Sequence, residues 1–129
     1  ACALRASQLG LNVVLIEQDK LGGTCLHRGC IPTKALLHAA EVADVAREGH
    51  AFGVRTSLDG IDMTKVNEYK DGVIGRLYKG LQGLVKSRPS ITYVEGAGRM
   101  VAANALEAAG QRFEGSNIVL ATGSYARRT

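Results

Sequence analysis

Two cysteines stand five residues apart in the segment LGGTCLHRGCIPTK, residues 21–34. A close cysteine pair can be a structural disulfide, a pair of metal ligands, or a dithiol that exchanges electrons as its disulfide opens and closes. In a regular α-helix, residues five apart have Cα atoms roughly 8–9 Å apart, whereas a disulfide requires roughly 7 Å or less. If Cys25 and Cys30 are bonded, the intervening LHRG cannot be ideal helix, and Gly29 supplies the backbone freedom for that distortion.

The structural and metal alternatives account for less of this segment. A short disulfide loop restricts the unfolded chain less than a long loop does, so a purely stabilising role gains little. A zinc site would use His27 and His38 beside the two cysteines. Structural zinc sites typically have paired short spacings such as C-x₂-C, and the chain has none. Cys2 lies in an apolar helical pattern and is expected to be a small core residue.

The redox alternative uses more of the neighbouring residues. A thiolate is the reactive form in disulfide exchange, so a redox cysteine benefits from nearby positive charge. Cys30 precedes a helix predicted to begin at Pro32, and the positive end of a helix favours an anion. Arg28 and Lys34 add charge, and residues 22–24 (GGT) offer a donor-rich backbone suited to phosphate contact. On the residues alone, all three alternatives stay open.

The bulk composition disfavours several function classes. The 129 residues are 46% hydrophobic and 22% charged, which is ordinary for one globular domain. No apolar run approaches the roughly 18 residues that span a bilayer, and the start has no signal-peptide pattern. The charge of +4 comes from 16 basic and 12 acidic residues spread along the chain, and only 5% are aromatic, which disfavours nucleic-acid binding. Three cysteines are too few for a secreted disulfide scaffold and favour a reducing compartment.

The first half of the chain alternates helices with a strand. Residues 1–9 predict an amphipathic helix ended by Gly10, and residues 12–17 (NVVLIE) predict a strand covered on both faces, as in a parallel sheet. Residues 32–48 predict a second helix. Residues 62–86 predict a long third helix, although four interior glycines, each costing roughly 1 kcal/mol, leave open a break near its middle. Its inward apolar residues, spaced by three and four, are Met63, Val66, Tyr69, Val73, Leu77, Leu81 and Leu84.

The second half predicts strands. Residues 91–95 alternate as a strand, about residues 97–116 predict a small antiparallel meander, and residues 118–121 predict another buried strand. Together the elements predict an α/β fold. The chain begins without Met, on a helix with no strand before it, and closes just after a predicted strand. We therefore expect it to be a piece of a longer protein.

The stretch GGTCLHRGCIPTKALLHAAE resembles the active-site segment of the flavin-dependent pyridine nucleotide–disulfide oxidoreductases, through the specific pattern G-G-x-C-x₄-G-C-x-P-x-K. The resemblance implies that residues 1–129 are a Rossmann-like FAD-binding domain, truncated at both ends, with the NAD and interface domains absent. The CIPTKALLHAAE portion is most similar to members that oxidise protein-bound dihydrolipoamide to lipoamide and reduce NAD⁺. The alternatives are another flavoprotein disulfide reductase, similar to glutathione or mercuric reductase, or a non-enzymatic zinc or structural cysteine module.

The resemblance also implies roles for single residues. Cys25 is the interchange thiol that forms a mixed disulfide with the substrate, and Cys30 lies against the flavin as a thiolate. Glu17 accepts hydrogen bonds from the ribose of FAD, and Lys34 stabilises negative charge on the reduced flavin. The remaining cofactor-binding positions are Gly23 and Thr24 near the pyrophosphate, Gly96 and Ala97 at the adenine, and Thr122, Gly123 and Ser124 in a turn closing over FAD.

Some parts that the resemblance requires are not in this sequence. The family's catalytic base is a His paired with a Glu in an interface domain, usually supplied by the other subunit, and His27, His38 and His50 do not match it. We therefore expect the 129-residue chain alone not to turn over. The resemblance implies a homodimer and a lipoyl-bearing partner protein of a 2-oxo-acid dehydrogenase or glycine cleavage complex, with no metal, nucleic acid or membrane. It places the protein in the cytoplasm, or in the mitochondrial matrix if eukaryotic.

Overall fold

The computed structural model of the chain describes residues 1–125 and residue 127. They form two compact units. The sheet unit contains residues 1–21 and the described residues from 80 onward, and the helical unit contains residues 22–79. In this described part of the chain, no helix is both long enough and apolar enough to cross a membrane. The predicted combination of helices, a parallel sheet and a small antiparallel sheet is confirmed.

The sheet unit is built on two parallel strands. β1 (Val13–Glu17) pairs with β2 (Ile91–Glu95), in register from Val13 opposite Ile91 to Glu17 opposite Glu95. Both strands are rich in β-branched residues, which favour extended backbone. Ile91 is buried and most other residues of the pair are half-buried. Because the strands are parallel, their carboxyl ends lie side by side at one edge of the sheet.

Helix α1 (Cys2–Gln8) lies against both strands. It stops where the sequence predicts, at Gly10, whose φ of +83° lets the chain leave the helix without strain. The hydroxyl oxygens of Ser7 and Ser90 are 2.7 Å apart, and this hydrogen bond joins the helix to the residue before β2. No residue of α1 is fully buried and Cys2 is exposed at its start, so the expectation of a core cysteine is wrong.

The predicted meander is a three-stranded antiparallel sheet within residues 99–114. Its strands pair in chain order and are β3 (Arg99–Ala102), β4 (Ala105–Ala108) and β5 (Gln111–Glu114). Ala109 and Gly110, between β4 and β5, have φ of +49° and +73°, the conformation that a two-residue hairpin turn needs. Ala105 and Ala108 are buried, so β4 is the packed strand of this sheet.

The strand predicted at residues 118–121 is not formed. This segment has no regular secondary structure, and Val119 and Leu120 are 67% and 68% exposed. A strand needs a neighbour that pairs with its N–H and C=O groups. In the described part of the chain, β1 and β2 pair only with each other and the meander forms a separate sheet. An apolar run without such a neighbour stays irregular.

The helical unit contains a short helix that the sequence does not predict. α2 (Gly23–Arg28) precedes α3 (Cys30–Glu48), which begins two residues earlier than predicted. A 3₁₀ turn (Gly49–Phe52) follows α3. The Thr56 hydroxyl donates a hydrogen bond of 2.7 Å to the carbonyl of Ala46, which fastens the loop after this turn to the end of α3.

Helix α4 (Met63–Lys86) is continuous, so the alternative of a break near its middle is wrong. It begins one residue later than predicted, after Asp62, whose carboxylate accepts hydrogen bonds from the N–H groups of Thr64 at 2.9 Å and Lys65 at 3.2 Å. The interior glycines lower the helix propensity, but none has a positive φ. Packing of an apolar face therefore keeps the helix whole.

The packed face of α4 agrees only in part with the prediction. The predicted inward residues Val66, Val73 and Leu81 are half-buried. Four others are 43–56% exposed: Met63, Tyr69, Leu77 and Leu84. The packed stripe instead includes Ile74, Tyr78 and Val85. Both stripes repeat at three and four, so periodicity alone cannot choose between faces that differ by one residue.

The glycines of α4 allow a stability test. No atom lies within 4 Å of the position that a Cβ on Gly75 would take. We expect Gly75→Ala to raise the free energy of unfolding by about 0.5–1 kcal/mol, since alanine loses less backbone entropy in a helix. Urea titration followed by circular dichroism measures this change.

The matched control is Gly49→Ala, at a second glycine with helical φ. A Cβ there would lie 2.6 Å from the Thr56 hydroxyl oxygen and 3.2 Å from the Val54 carbonyl oxygen, so this variant should be destabilised. Equal effects of the two substitutions would contradict the assignment of Gly75 to an open helix face.

Candidate redox site

The two cysteines of the predicted site come together in the helical unit. Cys25 is the third residue of α2 and Cys30 is the first residue of α3. Both are free and exposed, and their side chains are hydrogen-bonded to each other. The helix break that a bonded pair requires is present, because α2 and α3 are separated at Gly29.

Gly29 permits this arrangement through its size. Its φ of −130° and ψ of −113° together lie outside the main regions that residues with a Cβ occupy. A Cβ on Gly29 would also lie 3.0 Å from the carbonyl oxygen of Thr24 and 3.2 Å from the Cα of Cys25. Both are backbone atoms, so no change of side-chain rotamer can relieve the overlap. A requirement for space therefore adds to the expected backbone freedom of Gly29.

The amino end of α3 lies at the cysteine pair. The first backbone hydrogen bond of this end runs from the N–H of Thr33 to the carbonyl of Gly29 at 3.1 Å. Pro32, which has no N–H, occupies the first turn, where no intrahelical acceptor is available. No acidic residue stands in that turn, so the partial positive charge of the helix end is not neutralised locally.

The contact between the cysteines changes the acidity of Cys25. The hydrogen bond with the Cys30 side chain raises the pKa of Cys25, and desolvation and the negative charge of a Cys30 thiolate act in the same direction. The backbone N–H of Cys30 and the ammonium of Lys34 lower the pKa of Cys25, but these effects are smaller than the rise. In the reduced pair, the raised pKa lowers the fraction of Cys25 that is present as the thiolate at a given pH.

The predicted phosphate-contact residues begin α2. Gly22 and Gly23 have φ of +115° and +64°, which makes glycine the suitable residue at both positions. A Cβ on Gly22 would collide with the buried side chain of Leu26. Gly23 and Thr24 are exposed, and nothing lies within 4 Å of a Cβ position on Gly23. Their contact with a pyrophosphate stays a prediction.

A second group of predicted residues lies in the sheet unit, at the carboxyl edge of the parallel strands. Glu17 ends β1, and its carboxylate accepts a hydrogen bond of 2.9 Å from the N–H of Asp19. The carbonyl of Glu17 accepts a bond of 2.9 Å from the N–H of Gly96, which follows β2. The structure thus brings the Glu17 side chain and the backbone of Gly96 and Ala97 to the same edge.

Thr122, Gly123 and Ser124 lie in irregular, exposed backbone after residues 118–121. Gly123 has a φ of +82°, which is typical of a turn. No strand of the described chain leads into this segment. Its predicted closure over FAD stays a prediction.

The histidines contribute structural contacts. His38 Nδ1 lies 3.3 Å from a carboxylate oxygen of Glu41, and His50 Nδ1 lies 3.1 Å from the carbonyl oxygen of Arg47. Across the described residues, no three His, Cys, Asp or Glu side chains are grouped so that they could hold a metal ion. A zinc site at the cysteine pair therefore has no observed third ligand.

Sequence reasoning missed one contact beside the cysteines. The ring of His27, on α2, meets the ring of Tyr78, on α4, with centroids 4.9 Å apart and planes at 78°. The only available signal was the position of His27 between the two cysteines. Tyr78 was not assigned to the packed face of its helix, so the sequence could not pair the two rings.

Comparison with known proteins gives consistent matches along the chain. The family model described as pyridine nucleotide-disulphide oxidoreductase matches residues 1–129. The chain is 46% identical over 99 residues to a dihydrolipoyl dehydrogenase of Bacillus subtilis, covering 77% of this chain and 21% of that protein. It is 42% identical over 132 aligned positions to a dihydrolipoyl dehydrogenase of Pseudomonas aeruginosa, covering 96% of this chain and 28% of that protein. The chain thus spans a minor part of these relatives.

A solved structure shows the same fold. The HOCl-induced flavoprotein disulfide reductase RclA from Escherichia coli superposes with a TM-score of 0.79 at 25% sequence identity. The match covers 98% of this chain and 26% of the RclA chain. The α/β arrangement described above is therefore also found in a flavoprotein disulfide reductase.

The size requirement at Gly29 predicts the behaviour of a variant. We expect Gly29→Ala to push α2 away from α3, because the added methyl meets only backbone atoms. The tendency of Cys25 and Cys30 to form a disulfide should fall by roughly tenfold, the equivalent of a modest overpacking cost. Equilibration of the full-length protein with glutathione buffers, followed by acid quenching and alkylation, measures this tendency.

Gly72→Ala is the control for this variant, because no atom lies within 4 Å of a Cβ at Gly72. This substitution should leave the disulfide equilibrium unchanged. If Gly29→Ala also left it unchanged, the close approach at Gly29 would have no part in bringing the cysteines together.

The acidity of Cys25 can be tested by alkylation of the reduced protein in a Cys2→Ser background. Cys30→Ala removes the largest cause of the raised pKa of Cys25. We expect the pH at which Cys25 reacts half-maximally with iodoacetamide to fall, since only the thiolate reacts. Lys34→Met removes a charge that lowers this pKa, and should move the midpoint upward.

Peptide mass spectrometry would follow Cys25 separately from Cys30 at each pH. A Cys30→Ala midpoint at or above that of the parent protein would show that Cys30 does not control the acidity of Cys25.

Proposed function

The chain belongs to the pyridine nucleotide-disulphide oxidoreductase family, and we propose that it is the FAD-binding part of a dihydrolipoyl dehydrogenase. In this proposal the protein oxidises protein-bound dihydrolipoamide to lipoamide and reduces NAD⁺. Relatives with that name match most of the chain at 37–46% identity. The observation that carries the proposal is the direct contact between the side chains of Cys25 and Cys30 across the break at Gly29.

The cysteines would carry the thiol chemistry in two exchanges. A thiolate of dihydrolipoamide attacks the Cys25 sulfur of the closed disulfide, which forms a mixed disulfide and releases Cys30 as a thiolate. The second substrate thiol then attacks the substrate sulfur of the mixed disulfide, which closes the lipoamide ring and releases Cys25. Two electrons and two protons have left the substrate, and the cysteine pair holds the two electrons. Cys25 takes up one of these protons, a state that its raised pKa favours, and the other proton passes to solvent.

Each unit contains residues that fit a flavin dinucleotide. In the sheet unit, Glu17 and the backbone after β2 lie at the carboxyl ends of the parallel strands, which are the usual place for dinucleotides. In the helical unit, the exposed backbone at Gly23 leaves room for a close ligand. FAD, when bound, accepts the electron pair from the dithiol and makes hydride transfer to NAD⁺ possible. The proposed contacts are Glu17, Gly23, Thr24, Lys34, Gly96, Ala97, Thr122, Gly123 and Ser124.

The partners follow from the same proposal. A dihydrolipoyl dehydrogenase takes its substrate from a lipoyl-bearing protein of a 2-oxo-acid dehydrogenase or glycine cleavage complex, and works as a homodimer with NAD⁺. We place the protein in the cytoplasm, or in the mitochondrial matrix if the source is eukaryotic. The odd, small number of cysteines supports a reducing compartment.

A second candidate is a flavoprotein disulfide reductase with another thiol or oxidant as substrate. The likeness to RclA, a flavoprotein disulfide reductase, favours this alternative at the level of the fold. The identities to dihydrolipoyl dehydrogenases are higher, and they favour the first candidate. Comparing kcat/KM for dihydrolipoamide with that for glutathione in the full-length protein separates the two.

The decisive test is an absorption spectrum of the full-length protein, taken before and after anaerobic addition of dihydrolipoamide. We expect flavin bands at the start and a new long-wavelength band on reduction, because a cysteine thiolate then lies beside the flavin. Cys30→Ser should abolish the new band, whereas the control Cys2→Ser should keep it, since Cys2 is exposed on α1. A colourless protein, or a band that persists in Cys30→Ser, would refute the proposed redox role.

A further inference from the structure

We propose that the ring contact between His27 and Tyr78 positions the reactive cysteine pair, by holding α2, and with it Cys25, where the disulfide with Cys30 can close. The proposal concerns only residues of the helical unit. It rests on the redox role proposed above for the two cysteines and adds two positioning residues to it.

Helix α2 cannot hold its own position. It has six residues, and isolated helices shorter than about 12 residues are marginal in water. The break at Gly29 also ends the helix, although α2 and α3 stay in contact beside it. The side chains that α2 packs against its surroundings therefore contribute to the placement of Cys25.

Two side chains of α2 supply this packing. Leu26 is the buried residue of the helix, and it lies against Gly22, at the beginning of the same short segment. That contact lies within the segment that contains the helix. His27 is half-buried, and its ring reaches a different helix.

The partner ring belongs to a long, continuous element. Tyr78 lies on the packed stripe of α4, a helix of 24 residues. The centroids of the two rings are 4.9 Å apart and their planes meet at 78°, which is the edge-to-face arrangement that aromatic pairs favour. His27 therefore anchors α2 to α4 only two residues after Cys25.

The chemical consequence is a higher effective concentration of one thiol at the other. When the pair closes in a glutathione buffer, an S–S bond forms between Cys25 and Cys30, and two electrons and two protons pass to glutathione disulfide, which becomes two glutathione thiols. A segment already held in place loses less entropy in this step. Loss of the ring contact should therefore make the disulfide harder to form.

The experiment uses the full-length protein in a Cys2→Ser background, equilibrated with glutathione buffers and then acid-quenched and alkylated. We expect Tyr78→Ala to lower the effective concentration of the pair roughly two- to tenfold, the range that aromatic pairs contribute. His27→Ala should have the same effect, and the double variant no larger one. Tyr78→Phe keeps the ring and should keep the equilibrium of the parent.

The chain offers a matched control on the same helix. Tyr69 also lies near a histidine ring, that of His38, with centroids 6.5 Å apart, but His38 belongs to α3 and not to α2. Tyr69→Ala removes an aromatic ring from α4 without touching the anchor of α2. We expect it to leave the glutathione equilibrium unchanged, even if it lowers the midpoint of thermal unfolding as much as Tyr78→Ala does.

The outcomes are separable. An unchanged equilibrium in Tyr78→Ala, an equal shift in Tyr69→Ala, or additive effects of the two alanine substitutions would each overturn the positioning role while leaving the redox function intact. A parent protein that forms no disulfide between Cys25 and Cys30 in any glutathione buffer would overturn both proposals.

Discussion

The cysteine pair depends on one close approach, in which the Cα of Gly29 packs against the carbonyl of Thr24 and the Cα of Cys25. Without this approach, two residues separated by five positions on one helix would stand roughly 8–9 Å apart. The break has a second effect, because α3 can begin at Cys30 and place its amino end at the pair. Proximity of the sulfurs and a favourable local field therefore have a single origin, the absence of a side chain at residue 29.

Much of the fold and the cysteine pair could be predicted from the sequence, where a local signal fixes the result. Gly10 ends α1 because glycine adopts the left-handed backbone conformation without strain. Asp62 precedes α4 because its carboxylate caps free N–H groups. The strand at residues 13–17 follows from a β-branched run. The position of Glu17 at a strand end follows from the same run, so its neighbourhood at the sheet edge was foreseeable.

Other features depend on packing between distant residues, which local patterns do not contain. Helix α2 is too short for a periodic signal, and its path depends on the space at Gly29 and on the ring of Tyr78. The choice between two apolar stripes on α4 is made by its neighbours, and the stripe predicted from the sequence agrees only in part. Residues 118–121 have the composition of a strand. Their conformation, however, depends on a neighbouring strand to pair with, and not on composition alone.

The raised pKa of Cys25 disfavours the reverse reaction of the reduced pair with lipoamide. Its largest cause is the hydrogen bond with Cys30, so the effect exists only while the disulfide is open and disappears when the bond closes. In the proposed reaction, return of electrons to lipoamide would begin with attack by a Cys25 thiolate. Because a raised pKa leaves less of Cys25 as the thiolate, that return is disfavoured just after the substrate has been oxidised. The interaction between the two cysteines thus also disfavours the back reaction. Lys34 lowers the pKa of Cys25 and so makes this effect smaller.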